Sequence, residues 1–136
     1  MRYLAIDYGS KRTGLAVCDE SETFTSPFAV IDGSGNLFEK IIETIKREEI
    51  KAIVVGLPLN MDDSQGPQAK MTIAFAEKLK KQIDLPVYFQ DERLSSFAAE
   101  EKIAAADFTR KKKKKRLDAI AAAEILRFFL DAKKSQ

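Results

Sequence analysis

Apolar positions along the chain follow two rhythms. Residues 2–8, 14–18 and 24–31 are short runs dense in apolar and β-branched side chains, separated by turn-rich stretches, and they predict three strands in an antiparallel meander. Pro27 lies inside the third run and has no backbone N–H to give a ladder, so that strand is expected at an edge or beside a bulge. The period then changes. Leu37, Phe38, Ile41, Ile42 and Ile45 recur at three- and four-residue spacing behind the turn cluster 32–36, which predicts a helix. Residues 51–56 read as a buried strand ended by Gly56 and Pro58, and Pro67 suits the first turn of a helix carrying Ile73, Phe75, Ala76 and Leu79. Residues 85–90 form a further buried strand, and residues 95–106 and 117–132 predict two closing helices.

The predicted order is β-β-β-α-β-α-β-α-α, an α/β fold with a five-stranded mixed sheet and helices on both faces. A length of 136 residues suits one domain over 1–136, long enough to bury a core without a metal or disulfide staple. In this order the first, fourth and fifth strands can run parallel. Their carboxyl ends, at Asp7, Gly56-Leu57-Pro58 and Asp91-Glu92, then share the crevice where open α/β sheets place ligands.

Composition narrows the chemistry. The chain has no histidine, which excludes Ser-His-Asp and Cys-His nucleophiles, histidine acid–base catalysis and most zinc sites. One cysteine, Cys18, excludes an internal disulfide and fits a reducing cytosol. No targeting segment precedes the first strand pattern and no apolar run reaches membrane-spanning length, so a cytoplasmic protein without a membrane partner is expected. The net charge of +2 conceals an uneven distribution. Arg110, Lys111, Lys112, Lys113, Lys114, Lys115 and Arg116 are consecutive, and the remainder of the chain is net acidic. Seven adjacent cations imply a solvated, disordered loop or a contact with nucleic acid.

Several carboxylates stand where burial is costly. Asp7 ends an apolar strand and either caps the turn at Gly9 or serves a site. Asp91 and Glu92 follow another apolar strand, and alternation sends one of them to the crevice while the other caps a helix or pairs with Arg93. Asp118 shares a helix face with Ala121, Ala122, Ile125 and Phe129, in the first turn of the predicted helix, where the helix dipole offers some compensation. Glu124 lies well round that helix and is expected to face solvent. Without histidine, three converging carboxylates are best explained by hard cations, Mg²⁺ or Mn²⁺, and beside a polylysine stripe they suggest phosphodiester hydrolysis.

The turn Asp7-Tyr8-Gly9-Ser10-Lys11-Arg12-Thr13-Gly14 supports a rival reading. Its glycines and cations could cradle a phosphate, and the pattern resembles the phosphate loop of actin-like and sugar-kinase ATPases. The structural alternative is a hairpin turn with glycines at positive φ.

Together, residues 7–16, 55–62, 66–68, 91–96 and 118–122 resemble the YqgF/RuvX family, Holliday-junction-resolvase-like proteins with a ribonuclease H-like fold. The resemblance implies a cytoplasmic nuclease maturing the 5′ end of the small-subunit (16S) ribosomal RNA precursor, with junction resolution on branched DNA as the alternative activity. Carried onto this sequence, it puts the acidic, metal-binding site at Asp7, Glu92 and Asp118, with Asp91 as the alternative to Glu92. Lys11, Arg12, Arg93 and the run from Arg110 to Arg116 are the candidate nucleic-acid contacts. Expected partners are precursor ribosomal RNA, the ribosome or its precursors, and, as the alternative, branched DNA, bound by a monomer or homodimer. The resolvases carry an acid on the fourth strand, whereas this strand ends in Gly56-Leu57-Pro58, so the fifth-strand acid must substitute. A non-catalytic RNA-binding module and a one-domain ATPase are the competing classes.

Overall fold

The sheet is built outward from β1 (Tyr3–Asp7), which pairs antiparallel with β2 (Arg12–Cys18) and parallel with β4 (Ala52–Leu57). The edges are β3 (Thr25–Asp32), antiparallel to β2, and β5 (Val87–Asp91), parallel to β4, giving the order β3-β2-β1-β4-β5. Helices α1 (Leu37–Arg47), α2 (Pro67–Lys80) and α3 (Arg110–Lys134) complete the fold. This computed structural model describes residues 1–33, 35–62, 64–92 and 110–135, with backbone alone over 110–116. The helix expected over 95–106 and the candidate contact Arg93 lie outside the described residues.

Alternation along the strands divides the core in two. Leu4, Ile6, Leu15, Ile53 and Val55 face one way and pack with Leu37, Ile41, Phe75 and Leu79 of α1 and α2. Tyr3, Ala5, Ala16, Val54 and Ala52 face the other way, under Ala122, Ile125, Leu126 and Leu130 of α3. Buried on both faces, β1 and β4 must be apolar throughout, which is why they read as continuous runs rather than alternating ones. Pro27 does lie on an edge strand, at an irregularity where the β2–β3 register shifts between Leu15 and Ala16. The extra residue on β3 leaves the missing proline N–H without consequence for the ladder.

The last helix departs from expectation in three ways. It is already helical at Arg110, so the backbone of the basic run is helical rather than a disordered loop. Lysine and arginine are good helix formers, and extending a helix already anchored by packing costs far less than nucleating one. Asp118 therefore lies well inside the helix and not in its first turn, beyond the reach of the dipole. Glu124, expected in solvent, is only 3% exposed and pairs with Arg127 Nη2 at 2.6 Å. Helix α3 packs across β1, β2 and β3, so its buried arc runs unbroken from Ala121 to Leu126 and takes in Glu124.

Small residues let this helix sit close. A Cβ on Gly14 would overlap the backbone carbonyl of Asp118, so β2 and α3 touch main chain to main chain there. The turn leading into β2 is tight as well: a Cβ on Gly9 would overlap the Arg12 carbonyl. Neither glycine has the positive φ expected of a hairpin turn; Gly33 has it, at 74°. Gly9 and Gly14 are needed for close approach, not for a left-handed backbone.

Candidate active site

The carboxyl ends of the three parallel strands lie side by side, as their order requires. In register, Ile6 of β1 stands beside Val55 of β4, and Leu57 of β4 stands beside Asp91 of β5. Parity then decides between the two fifth-strand acids. Val87 and Phe89 pack with the α1–α2 core, whereas Tyr88 contacts Phe129 of α3. Glu92 continues the Tyr88 side and Asp91 the opposite one. Asp7 likewise continues the Tyr3 and Ala5 side, under α3. Glu92 and Asp7 thus face the same way, and Glu92 is hydrogen-bonded to Asp7.

Room for this contact comes from Gly56. A Cβ there would stand 2.5 Å from Glu92 Oε2 and 2.6 Å from Ile125 Cδ1. The fourth strand contributes no acid; it contributes the gap that the fifth-strand acid fills. A glycine inside an otherwise β-branched strand signals such close approach, and this was the available clue to its role. Gly56→Ala is expected to cost only about 1–2 kcal/mol of stability, because both neighbours are side-chain ends that can shift. Displacing Glu92 by an ångström should lower kcat by about 100-fold, and thermal melts set against single-turnover cleavage check the contrast.

Burial is the main reason that the Asp7 carboxyl is pushed up to about 6, with the nearby Asp118 charge adding to it and the Glu92 hydrogen bond opposing it. Burial also dominates at Glu92, followed by the Asp7 charge, and raises it to about 9. Both shifts favour keeping a proton on the hydrogen-bonded pair rather than ionising both carboxyls. Asp118 reaches the same crevice from α3, but its Oδ2 accepts a hydrogen bond from Arg12 Nε at 2.7 Å. Among the described residues no three acidic or thiol side chains converge closely enough to hold one ion. The structure therefore brings Asp7 and Glu92 into contact, places Asp118 within electrostatic reach, and leaves Asp91 on the other face of its strand.

Of the candidate nucleic-acid contacts, Lys11 is exposed on the β1–β2 turn and Arg12 is turned onto Asp118. The side chains of Arg110 to Arg116 lie outside the described residues, although their helix leads directly to Asp118. The phosphate-loop reading of residues 7–14 loses support here, because the space beside Gly9 is filled by the chain's own Arg12 carbonyl. The sequence offered Arg12 as a phosphate contact and held no signal that it faces Asp118, one of the candidate acids.

A family model described as "RuvX: Holliday junction resolvase" matches residues 1–132. The chain belongs to the RuvX family. This RuvX-family chain is 39% identical to a Maridesulfovibrio salexigens protein over 132 residues, covering 96% of this chain and 98% of that one. It is 41% identical to a Geobacillus thermodenitrificans protein, covering 98% and 100%. Both relatives carry the name "Putative pre-16S rRNA nuclease". Among solved structures, Thermus thermophilus RuvC with a Holliday junction substrate matches at TM-score 0.61 and 17% identity, over 98% of this chain and 96% of that one. The fowlpox virus Holliday junction resolvase matches at TM-score 0.55 and 17% identity, over 97% and 99%. At these identities the structural likeness establishes the fold, a ribonuclease H-like α/β sheet, as the family resemblance implies.

Proposed function

We propose that this chain is a divalent-metal-dependent nuclease acting in 5′-end maturation of the small-subunit ribosomal RNA precursor. One observation carries the reading: two carboxyl groups, Asp7 and Glu92, meet part-buried at the ends of parallel strands, with a third, Asp118, beside them on α3. A binding module would gain nothing from holding two carboxyl groups against each other out of water, where their ionised forms are disfavoured. The names of the relatives support the substrate.

The donor set fits a hard cation, because it is all oxygen and its first two members already repel each other. Asp7, Glu92 and Asp118 would hold Mg²⁺ or Mn²⁺, which when bound supplies positive charge at the scissile phosphate and a more acidic water. Glu92 must lose its proton to become a ligand, so activity should rise with pH across the neutral range. Lys11, Arg12, Arg93 and the basic start of α3 would track the phosphate backbone, with precursor RNA or a pre-ribosomal particle as the partner. Among the described residues no helix is long and apolar enough to cross a membrane, in keeping with a cytoplasmic site of action.

Precursor RNA and a four-way DNA junction, each incubated with the protein and Mg²⁺ or Mn²⁺, provide the direct test. Cleavage of the RNA alone supports the proposal, whereas cleavage of the junction alone, by a protein that sediments as a dimer, replaces it with junction resolution. Binding of RNA without cleavage under any metal returns the chain to the binding-module class.

The basic run makes a separate prediction. Changing Lys111, Lys112, Lys114 and Lys115 to Gln should weaken RNA binding equally for all sequences, since phosphate contacts carry no base information. The log–log salt slope should flatten by roughly 3, at about 0.7 per phosphate on single strands, in anisotropy titrations across salt.

A further inference from the structure

We propose that Arg12 is a positioning residue that holds Asp118 in reserve, and that its guanidinium and an incoming divalent cation compete for the Asp118 carboxylate. The inference rests on the metal-dependent reading above and concerns the order in which the site assembles.

Asp118 has no helix dipole to offset its charge, because it lies in the body of α3 rather than at its start. It also adds to the negative potential at Asp7. The cation that the fold supplies is Arg12, the first residue of β2, bonded through Nε to Asp118 Oδ2 at 2.7 Å. Asp7 pairs in register with Gly14, two residues further along β2, and a Cβ on Gly14 would overlap the Asp118 backbone. One short stretch of β2 therefore fixes both the acid and its counter-charge beside Asp7.

The contact is made for exchange rather than permanence. It is a single-donor contact through Nε, not the bidentate fork of the strongest arginine–carboxylate pairs. The two side chains are 30% and 26% exposed, so they can separate without opening the core. Exchange reconciles the two roles of Arg12: once Asp118 is given up, the guanidinium has its full fork for a phosphate of the bound strand.

The test is Mn²⁺ binding to the intact protein without nucleic acid, followed by electron paramagnetic resonance of the free ion. Arg12→Ala should lower the Mn²⁺ Kd by about fivefold, the scale of a part-exposed ion pair, while Arg12→Lys stays near wild type. The gain should vanish in an Arg12→Ala/Asp118→Asn double variant measured against Asp118→Asn alone. Weaker or unchanged binding by Arg12→Ala overturns the proposal, and so does a gain that persists in the double variant, which would reflect general charge. Arg12→Gln, checked by circular dichroism, serves if the alanine variant folds poorly. Asp7→Asn separates this inference from the one beneath it. If wild type binds no Mn²⁺, the metal-dependent reading falls together with the competition; if wild type binds, Asp7→Asn does not, and Arg12→Ala is unchanged, only the competition falls.

Discussion

Asp7→Asn and Glu92→Gln will each remove cleavage and, in metal-free protein, raise the melting temperature. Both replacements keep the shape of the pair and one hydrogen bond across it, since an asparagine oxygen accepts from Glu92 and a glutamine nitrogen donates to Asp7. What each removes is an ionisable carboxyl that the proposed cation would need and whose charged form the metal-free fold disfavours. The catalytic loss is expected on the order of a thousandfold, about 4 kcal/mol of transition-state stabilisation.

The stability gain follows from the titration of the two acids. Asp7 is raised from 3.8 to about 6 and Glu92 from 4.5 to about 9, so the folded chain holds protons at pH values where the unfolded chain has released them. Their contribution is fully present below about pH 4 and is lost as pH rises through about 6 for Asp7 and about 9 for Glu92. Wild type should therefore lose stability from pH 4 toward pH 9, and at pH 8 Asp7→Asn should melt higher by about 5 °C. That advantage should fade as pH falls below about 3, where both carboxyls are neutral in the folded and unfolded chain alike. Millimolar Mn²⁺ should reverse the order at pH 8 by stabilising wild type and not Asp7→Asn. Thermal melts at several pH values, with and without the ion, check every part; a variant that melts lower at pH 8 without metal would contradict the repulsive pair.

Gly14→Ala should be among the most damaging single-methyl additions in this chain. Its Cβ meets backbone atoms of Asp118 and Ala119, not the flexible end of a side chain, so either β2 or α3 must move as a whole. Overpacking of this kind costs about 3 kcal/mol, which should lower the melting temperature by about 10 °C. Cleavage at a temperature where the variant is folded should also fall, because the shift carries Asp118 away from Asp7. Gly35→Ala is the control: nothing lies within 4 Å of its Cβ, and its melt should match wild type. If the two variants melt alike, the close approach of α3 to β2 does not stabilise the fold.

The strands, their connection and the end of the sheet where the candidate acids gather were legible in the order of residues along the chain. Runs such as Leu4-Ala5-Ile6 and Ile53-Val54-Val55 are apolar without alternation, and only strands covered on both faces tolerate that. Pro27 marked the edge and Pro67 the start of α2 because a residue without an N–H fits few places. Three acids at the ends of apolar segments stood out because a carboxylate is costly there unless something offsets it.

Which of those acids meet depends on how the strands and helices pack. Glu92 rather than Asp91 reaches Asp7 because β5 docks with Val87 and Phe89 toward α1 and α2, and pairing one residue out of step would have exchanged the two. The counter-charge of Asp118 comes from Arg12, 106 positions away in sequence, and no local pattern reveals a partner at that separation. The burial of Glu124 lies beyond periodicity, which reports one apolar stripe, whereas a helix lying across three strands is covered over a wider arc. Propensity and patterning act over a few residues, whereas the encounters of Asp7 with Glu92 and of Asp118 with Arg12 depend on how whole elements pack.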